Sequence, residues 1–312
     1  LTDLTIGQSA IIGLFAFKDT PVHADYPSKY VVNIGKVNPE DVKASYNDYT
    51  KELVIYGTGQ MRDFTGPDRY SNTGSNLITG SYPVNKVLIE DGVENIGDYA
   101  FYSYYSGVIT DVTLPSTLKT IGNKVFINQK VLETINFENV ETVGVSAFEG
   151  TKKITSLNAQ NLISVGDYAF EGSKLIELTA PSLTSIGQSA FRNVTTLTTI
   201  NAPNLTSIGQ SAFEGDTNLS NVVISESAEI GLYAFKGTPV HSSYQGKKIL
   251  EIGNVVPSDV IAEYNDYSTI LAIKGLGDMQ DFTSSNNLYT RLGVSGIDKV
   301  VIEEGVTSIG AY

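Results

Sequence analysis

Residues 175–191 read LIELTAPSLTSIGQSAF, and residues 197–213 repeat this stretch as LTTINAPNLTSIGQSAF. Each copy begins with alternating apolar and polar residues, a pattern typical of a strand with one buried face. It then passes through a proline turn, a second apolar pair and a glycine, and ends on Ala-Phe. Two such copies in register indicate a repeat architecture, in which each repeat buries its apolar face against its neighbours.

The motif Ile/Val-Gly-x-x-Ala/Val-Phe recurs along most of the chain. Complete copies span residues 12–17, 96–101, 121–126, 143–148, 165–170, 186–191, 208–213 and 230–235, and a ninth begins at Ile309 and is cut off at Tyr312. The predicted fold is therefore mainly β: a right-handed solenoid whose strands form one continuous parallel sheet. The motif glycine is expected to supply either a positive φ or a close backbone approach. The strands should begin near Ile109, Leu132, Ile154, Leu175, Leu197 and Leu219, and the stacked rings should be Phe126, Phe148, Phe170, Phe191 and Phe213.

Stretches such as VTLPSTLKTIGNKVF and LTAPSLTSIGQSAF resemble the BspA-like, Treponema pallidum type, leucine-rich repeats of bacterial surface proteins. The resemblance covers nearly all of residues 84–238. It implies a leucine-rich-repeat solenoid, a cell-surface setting and adhesion to host or microbial partners. Family members often carry an inward-pointing Cys shortly after the Phe, whereas this chain has none there. Those positions hold Gln129, Thr151, Ser173, Val194 and Asp216.

The sequence also contains a duplication that is much longer than the short repeat. Residues 1–65 align with residues 219–283 at a constant offset of 218, with 35 of 65 positions identical, and the offset then changes to 213. Two segments outside the repeat motif, which we call islands, lie at 21–83 and 239–296. In the first, YNDYTKELVIYGTGQM predicts a β-hairpin that turns near Asn47. An island either caps a solenoid stack, which the exposed ends of solenoids require, or is a ligand-binding insertion.

These boundaries divide the chain into five predicted regions, and together they indicate a piece of a longer tandem array. They are the end of one stack (1–20), the first island (21–83), the main solenoid (84–238), the second island (239–296) and the start of the next stack (297–312).

Composition excludes several functions. With 34 acidic and 21 basic residues, the net charge is −13, which opposes binding to nucleic acid or anionic lipid. The absence of Cys excludes disulfides and thiol chemistry, and no apolar run is long enough to span a bilayer. We therefore expect no membrane insertion in this segment, and no signal or anchor within it.

The sequence offers few candidates for chemistry. His23 and His241 occupy the same position in the two long repeats, but neither has a second histidine nearby to complete a metal site, which favours a structural role. The acidic pairs of the IEDG and IEEG segments, Glu90-Asp91 and Glu303-Glu304, leave a calcium site open as a minor alternative. The Gly-x-Gly pairs at Gly57 and Gly275 lack the residues of a phosphate loop and indicate strand-end turns. We therefore expect no catalytic residue, metal or cofactor.

Tyrosines offer the best candidate binding surface, because Tyr supplies large amphipathic contacts at low entropic cost. The alternative is that these rings replace core residues in small irregular modules. The predicted outward columns of the repeat sheet carry mainly short Thr, Asn and Ser side chains, such as Thr134, Asn158 and Thr199, which suit either solvent or a repetitive ligand. The candidate partner-binding residues are Tyr70, Tyr82, Tyr99, Tyr102, Tyr104 and Tyr105.

The sequence therefore predicts a non-enzymatic, secreted, cell-surface adhesion scaffold that binds a protein or another surface ligand. A purely structural stalk is the first alternative. A glycan-binding module is the second, and it would require a cleft with paired carboxylates or a row of exposed aromatic residues.

Overall fold

The computed structural model describes residues 20–22, 29–65, 84–103 and 107–311. Within these ranges the chain is almost entirely β, with one short helix, α1 (Leu288–Leu292), and one 3₁₀ turn, Pro257–Asp259. The strands of the first hairpin and the main solenoid are β1 Lys29–Asn33, β2 Val42–Asn47, β3 Glu52–Gly57, β4 Gly59–Gln60, β5 Lys86–Ile89, β6 Val93–Ile96, β7 Asp111–Thr113, β8 Thr120–Ile121, β9 Thr134–Ile135, β10 Thr142–Val143, β11 Ser156–Asn158, β12 Ser164–Val165, β13 Glu177–Thr179, β14 Ser185–Ile186, β15 Thr199–Ala202, β16 Ser207–Ile208, β17 Asn221–Ile224 and β18 Glu229–Ile230. The remaining strands are β19 Lys247–Glu251, β20 Val260–Asn265, β21 Ile270–Gly275, β22 Gly277–Asp278, β23 Lys299–Ile302 and β24 Val306–Ser308.

Each coil of the solenoid contributes one strand to each of two parallel ladders. The second strand of every coil joins an uninterrupted eight-stranded sheet in the order β18-β16-β14-β12-β10-β8-β6-β4. Equivalent residues of successive coils pair directly, as in Val143 with Val165 and Ile186 with Ile208. The 22-residue period of the sequence is therefore the distance in sequence between neighbouring strands, and the predicted leucine-rich-repeat solenoid is confirmed.

The other ladder is interrupted, so the prediction of one continuous sheet is wrong at one place. Strands β7 and β9 belong to a six-stranded sheet, whereas β11, β13, β15 and β17 form a separate four-stranded sheet. The break coincides with Phe137, which replaces the small alanine found at this position in later coils, such as Ala159. Its ring lies 5.3 Å from Phe148 and 6.2 Å from Phe170, centroid to centroid. A large residue at this position does not by itself interrupt the ladder, because Leu114 and Ile224 stand there in coils whose first strands pair with a neighbour.

The predicted phenylalanine stack is confirmed. All of its rings are fully buried, and successive ring centroids lie 5.1–5.4 Å apart, with interplanar angles of 25° or less. This spacing is close to the separation of neighbouring strands in a sheet, so each coil contributes one ring to a continuous column. The column consists of Phe101, Phe126, Phe148, Phe170, Phe191, Phe213 and Phe235.

The motif glycines serve close backbone approach rather than a positive φ. A Cβ atom added to Gly166 would lie 2.8 Å from the carbonyl carbon of Gly144 in the preceding coil. A positive φ falls instead two residues after the motif glycine, and in the described coils the residue there is never glycine. These residues are Tyr99, Lys124, Ser146, Tyr168, Ser189, Ser211 and Tyr233.

The first island is built as the predicted hairpin and then joins the solenoid. Strands β2 and β3 pair antiparallel around the turn that follows Asn47, and Leu53 and Ile55 are buried. Strand β3 then pairs parallel with β5, and β4 pairs with β6, so the end of the island has the geometry of a coil. The hairpin thereby covers the first edge of the stack.

The second island repeats this backbone. Strands β19 to β22 occupy the positions of β1 to β4 at the offset of 218, and β23 begins 213 residues after β5. The predicted duplication of the island strands is confirmed for the described residues. His23 lies outside them, so its predicted equivalence with His241 stays a prediction.

Two hydrophobic cores result. The first runs from Ile34 to Phe235 and includes the first hairpin, and the second runs from Leu232 to Phe282 and on to Leu292. The last coil before the second island contributes to both, through Phe235 and Leu232 respectively. The five predicted regions stay a prediction.

Candidate functional site

Two of the predicted binding tyrosines lie in the described part of the chain, and they touch. Tyr99 sits at the positive-φ position of its coil, with φ 58°, and its amide donates to the carbonyl of Asn123. The Tyr102 amide donates to the carbonyl of Tyr99, and the two ring centroids are 5.8 Å apart. Both side chains are half-buried. The backbone of the coil therefore fixes the positions of two partly exposed rings.

A cation completes this aromatic pair. The Lys124 Nζ lies 5.5 Å from the centroid of the Tyr99 ring, a separation at which a cation is attracted to the ring face. The pair with its lysine is called the tyrosine patch below. The other four predicted binding residues, Tyr70, Tyr82, Tyr104 and Tyr105, lie outside the described residues.

The outward columns of the repeat sheet hold short polar side chains, as predicted. Thr134 and Asn158 are exposed, but they lie on opposite sides of the break between β9 and β11. Thr199 is half-buried on β15. Because the break divides these columns, they do not form a single regular lattice for an extended ligand.

A row of alternating charges lies beside the phenylalanine turns of the later coils. Glu171 accepts from Arg192 at 3.0 Å, and Lys236 lies 3.9 Å from Glu214. Arg192, Glu214 and Lys236 line an open groove together with Asn193, Gly215 and Gly237. The charges pair with one another along the row, so the groove presents no field of a single sign.

The two acidic turns have structural partners. The Asp91 carboxylate accepts from both the amide and the hydroxyl of Ser116 at 2.9 Å, which ties its turn to the following coil. Glu303 lies 3.8 Å from Lys274. Among the residues that the structure describes, no three potential metal-ligating side chains come together.

The Gly-x-Gly pairs are strand-end turns, as predicted. Gly57 ends β3 and Gly59 begins β4, both with positive φ, and the Gly59 amide donates to the carbonyl of Gly92 in the next coil. A Cβ on Gly57 would lie 2.0 Å from the carbonyl oxygen of Asp41. Glycine is required here by the hairpin itself.

His241 has the structural role that the sequence favoured. Its Nε2 lies 3.2 Å from the carboxylate of Asp266, whose side chain is completely buried. Sequence reasoning missed Asp266. The available signal was the motif YNDY, which both long repeats retain around Asp48 and Asp266.

Asp216 is a second buried carboxyl group, and sequence reasoning did not predict its altered pKa. Asp216 stands at one of the inward positions where related repeats carry Cys, and it is fully buried. One carboxyl oxygen accepts from the Val194 amide at 2.7 Å, and the other has no hydrogen-bond partner. Burial raises the pKa of Asp216 to about 9, although the bond from Val194 opposes this shift. Asp216 is therefore protonated at neutral pH.

None of the described helices is long and apolar enough to cross a bilayer.

A family model for the BspA type leucine rich repeat region matches residues 51–161 and 141–256, in six copies. Among curated protein sequences, none matches this chain.

Solved structures of leucine-rich repeat proteins are similar to this fold at low sequence identity. One, a leucine-rich repeat protein of Eubacterium ventriosum, is 20% identical with a TM-score of 0.41, and the match covers 91% of this chain and 62% of that one. The Treponema pallidum leucine-rich repeat protein is 18% identical with a TM-score of 0.45, over 65% of this chain and 88% of that one. A leucine-rich cell surface protein of Faecalibacterium prausnitzii is 19% identical with a TM-score of 0.43, and the match covers 92% of this chain and 73% of that one.

Proposed function

Because the chain belongs to the BspA-type leucine-rich repeat family, we propose that it is a non-enzymatic scaffold on the outside of a bacterial cell that binds a protein partner on a host or microbial surface. Two features of the family matches support this proposal. Stacked repeats build an extended surface of the kind used for binding, and one similar structure carries the name of a cell surface protein.

The observation that carries the binding role is the tyrosine patch. Tyrosine is one of the residue types that contribute most to the energetics of protein interfaces. Tyr99 and Tyr102 are half-exposed and held by backbone hydrogen bonds at the coil that follows the first hairpin. The described repeat sheet offers mainly short polar side chains, which rarely anchor a partner.

The partner-binding site proposed here comprises this patch and its sequence neighbours. Tyr104 and Tyr105 follow directly in the chain, and Tyr70 and Tyr82 precede the same coil in the first island. The net charge of −13 supports a protein partner over nucleic acid or an anionic membrane surface.

The test is a binding measurement on the purified chain, labelled with a fluorophore and added to epithelial cells and to intact bacteria. Replacing Tyr102, Tyr104 and Tyr105 together by Ala is expected to reduce cell binding at least tenfold. The matched control replaces Thr134, Asn158 and Thr199, which lie on the repeat sheet, and is expected to bind like the original chain. The melting temperature of both variants is measured first.

The opposite ranking of the two variants would place the binding site on the repeat sheet. Failure of the unmodified chain to bind any cell or protein would favour the structural stalk, in which the solenoid only projects another domain. A large fall in the melting temperature of the Tyr variant would show that these rings belong to the core.

A further inference from the structure

A buried carboxylate takes part in holding the segment that connects the main solenoid to the second hairpin. The last coil ends near Phe235, and β19 begins at Lys247. Between them the chain passes over the end of the stack, where the Tyr244 ring lies 5.1 Å from Phe235 and its hydroxyl donates to the carbonyl of Val222 at 3.0 Å. Tyr244 therefore closes the first core.

Asp266, in the turn after β20, accepts hydrogen bonds from both sides of this connection. One carboxylate oxygen accepts from the amide of Tyr233, in the last coil. The other accepts from the Gly246 amide at 2.8 Å and lies 3.2 Å from the Nε2 of His241. Three separate segments, the last coil, the connecting segment and the hairpin turn, thus meet at one side chain.

The surroundings shield this carboxylate from solvent. The Asp266 side chain is fully buried and that of His241 is 14% exposed. The Tyr267 ring lies edge-on to the imidazole, with centroids 5.1 Å apart. A Cβ on Gly246 would lie 2.3 Å from the carbonyl oxygen of Gly231, so the connecting segment lies directly against the last coil.

Loss of the carboxylate would leave these buried donors without an acceptor. Hydrogen bonds to a charged group are stronger than neutral ones, and leaving a buried donor unpaired is costly. The same aspartate recurs in the first long repeat as Asp48, which is likewise fully buried, and its TPVH and YNDY segments are retained there. His241, Asp266 and Tyr267 of this contact thus recur as His23, Asp48 and Tyr49, whereas Gly246 aligns with Ser28.

We propose that Asp266 and His241 form a latch that holds consecutive units of the array at a fixed orientation. The two hydrophobic cores are separate clusters that share only the last coil. The latch joins them by directional hydrogen bonds, which specify one orientation where apolar contact at Leu232 would permit several. An array of latched units behaves as one rigid rod.

The experiment measures the orientation of the two units in the full chain. Because the sequence contains no Cys, pairs of spin labels can be placed without background. Ser182→Cys with Val255→Cys spans the latch, and Ser182→Cys with Glu138→Cys lies within the main solenoid. Pulsed electron paramagnetic resonance then gives the distance distribution of each pair.

Asp266→Asn is expected to widen the distribution across the latch at least twofold and to leave the pair within the solenoid unchanged. Asp259→Asn, which makes the same change at an exposed aspartate of the same hairpin, is the matched control and is expected to widen neither. Gly246→Ala is expected to widen the first pair as well, because the added methyl group pushes the connecting segment off the last coil.

Equal widths in the original chain and in Asp266→Asn would overturn the latch, since apolar contacts alone would then fix the orientation. If circular dichroism shows that Asp266→Asn unfolds the second hairpin, the distance distribution of His241→Gln is measured instead, because this substitution removes one hydrogen bond only. A widened distribution in that variant supports the latch, and an unchanged one overturns it.

Discussion

A second column of positive-φ residues follows the charged row of the phenylalanine turns, and it contains only glycine and asparagine. This column consists of Asn128, Gly150, Gly172, Asn193, Gly215 and Gly237. Glycine adopts the left-handed conformation at little cost, and asparagine adopts it more readily than most other residues. Gly172 is suited to a test of conformation alone, because an added Cβ would meet nothing closer than the Lys152 Nζ at 3.5 Å.

Gly172→Ala is expected to lower the free energy of unfolding by about 1 kcal/mol, because alanine pays a backbone penalty at positive φ. Gly172→Asn is the matched control and should cost less than half as much, since asparagine occupies this column elsewhere. Urea titration followed by circular dichroism measures both. Equal losses for the two variants would mean that side-chain contacts, and not φ, decide the choice of residue.

Asp216 predicts an unusual dependence of stability on pH. Its folded pKa is about 9, whereas an unfolded aspartate titrates near 3.9. Between these values the folded chain holds a proton that the unfolded chain has released. The contribution of Asp216 to stability is therefore fully present below about pH 4 and is lost as pH rises towards 9.

Between pH 5 and 8, the unfolding free energy of the original chain should therefore fall relative to that of Asp216→Asn as pH rises. The expected slope is up to about 1.4 kcal/mol per pH unit. Urea titrations at four pH values provide the measurement. Parallel stability curves for the two proteins would show that Asp216 is ionised in the folded state.

For single residues, sequence reasoning succeeded where a residue type has only one plausible structural role. The apolar phenylalanines had to be inside, and Leu53 and Ile55 had to face inward from their strand. It failed to distinguish two uses of the same residue, because Gly166 is equally suited to positive φ and to close approach. Asp266 was missed because its donors lie up to 33 residues away in sequence.

Among structural elements, the break between β9 and β11 has a measurable consequence. In later coils the amide just before the first strand donates to the preceding coil, as Ile176 does to the carbonyl of Thr155 at 2.7 Å. The equivalent amide of Thr155 has no such acceptor, because the ladder is interrupted there. Its proton is accessible to exchange without opening of the sheet.

Hydrogen exchange monitored by NMR should therefore show the Thr155 amide exchanging at least tenfold faster than the Ile176 amide. The Thr198 amide, which donates to Ile176 in an intact part of the ladder, serves as the control and should resemble Ile176. Equal protection of Thr155 and Ile176 would mean that the two sheets are joined in solution.

Most strands were predictable because the spacing of the repeat motif gives the pairing register of neighbouring strands. Each strand pairs with its copy about 22 residues away, so one correct assignment fixes the rest. The break was not predictable from periodicity, since the period of about 22 residues continues across it. The sequence predicted Tyr99 and Tyr102 as binding residues. It did not predict the contact of Tyr99 with Lys124, because that contact forms only when neighbouring coils stack.

In the whole molecule, the two hydrophobic cores predict two cooperative units. Leu178 is fully buried in the first core and Leu271 is 2% exposed in the second. A buried Leu→Ala substitution typically costs about 2–5 kcal/mol. The two sites share no contacts, so each loss should stay within its own unit.

Calorimetry of the full chain is expected to show two transitions. Leu178→Ala should lower the temperature of the larger one and Leu271→Ala that of the smaller one, while the other transition stays in place. A single transition that moves equally in both variants would show that the last coil couples the two cores into one folding unit.

The close packing of coils through their glycines also bears on how such a gene changes over generations. Because every coil meets the next through the same glycine, phenylalanine and turn, unequal recombination that adds or removes one whole repeat leaves all other contacts intact. The rod then lengthens or shortens by about 4.8 Å, the separation of neighbouring strands. Small changes of length within a coil are tolerated where the glycine keeps its neighbour, as in the 25 residues from Gly97 to Gly122. The length of the stack is thus an inherited quantity that varies in steps of one coil.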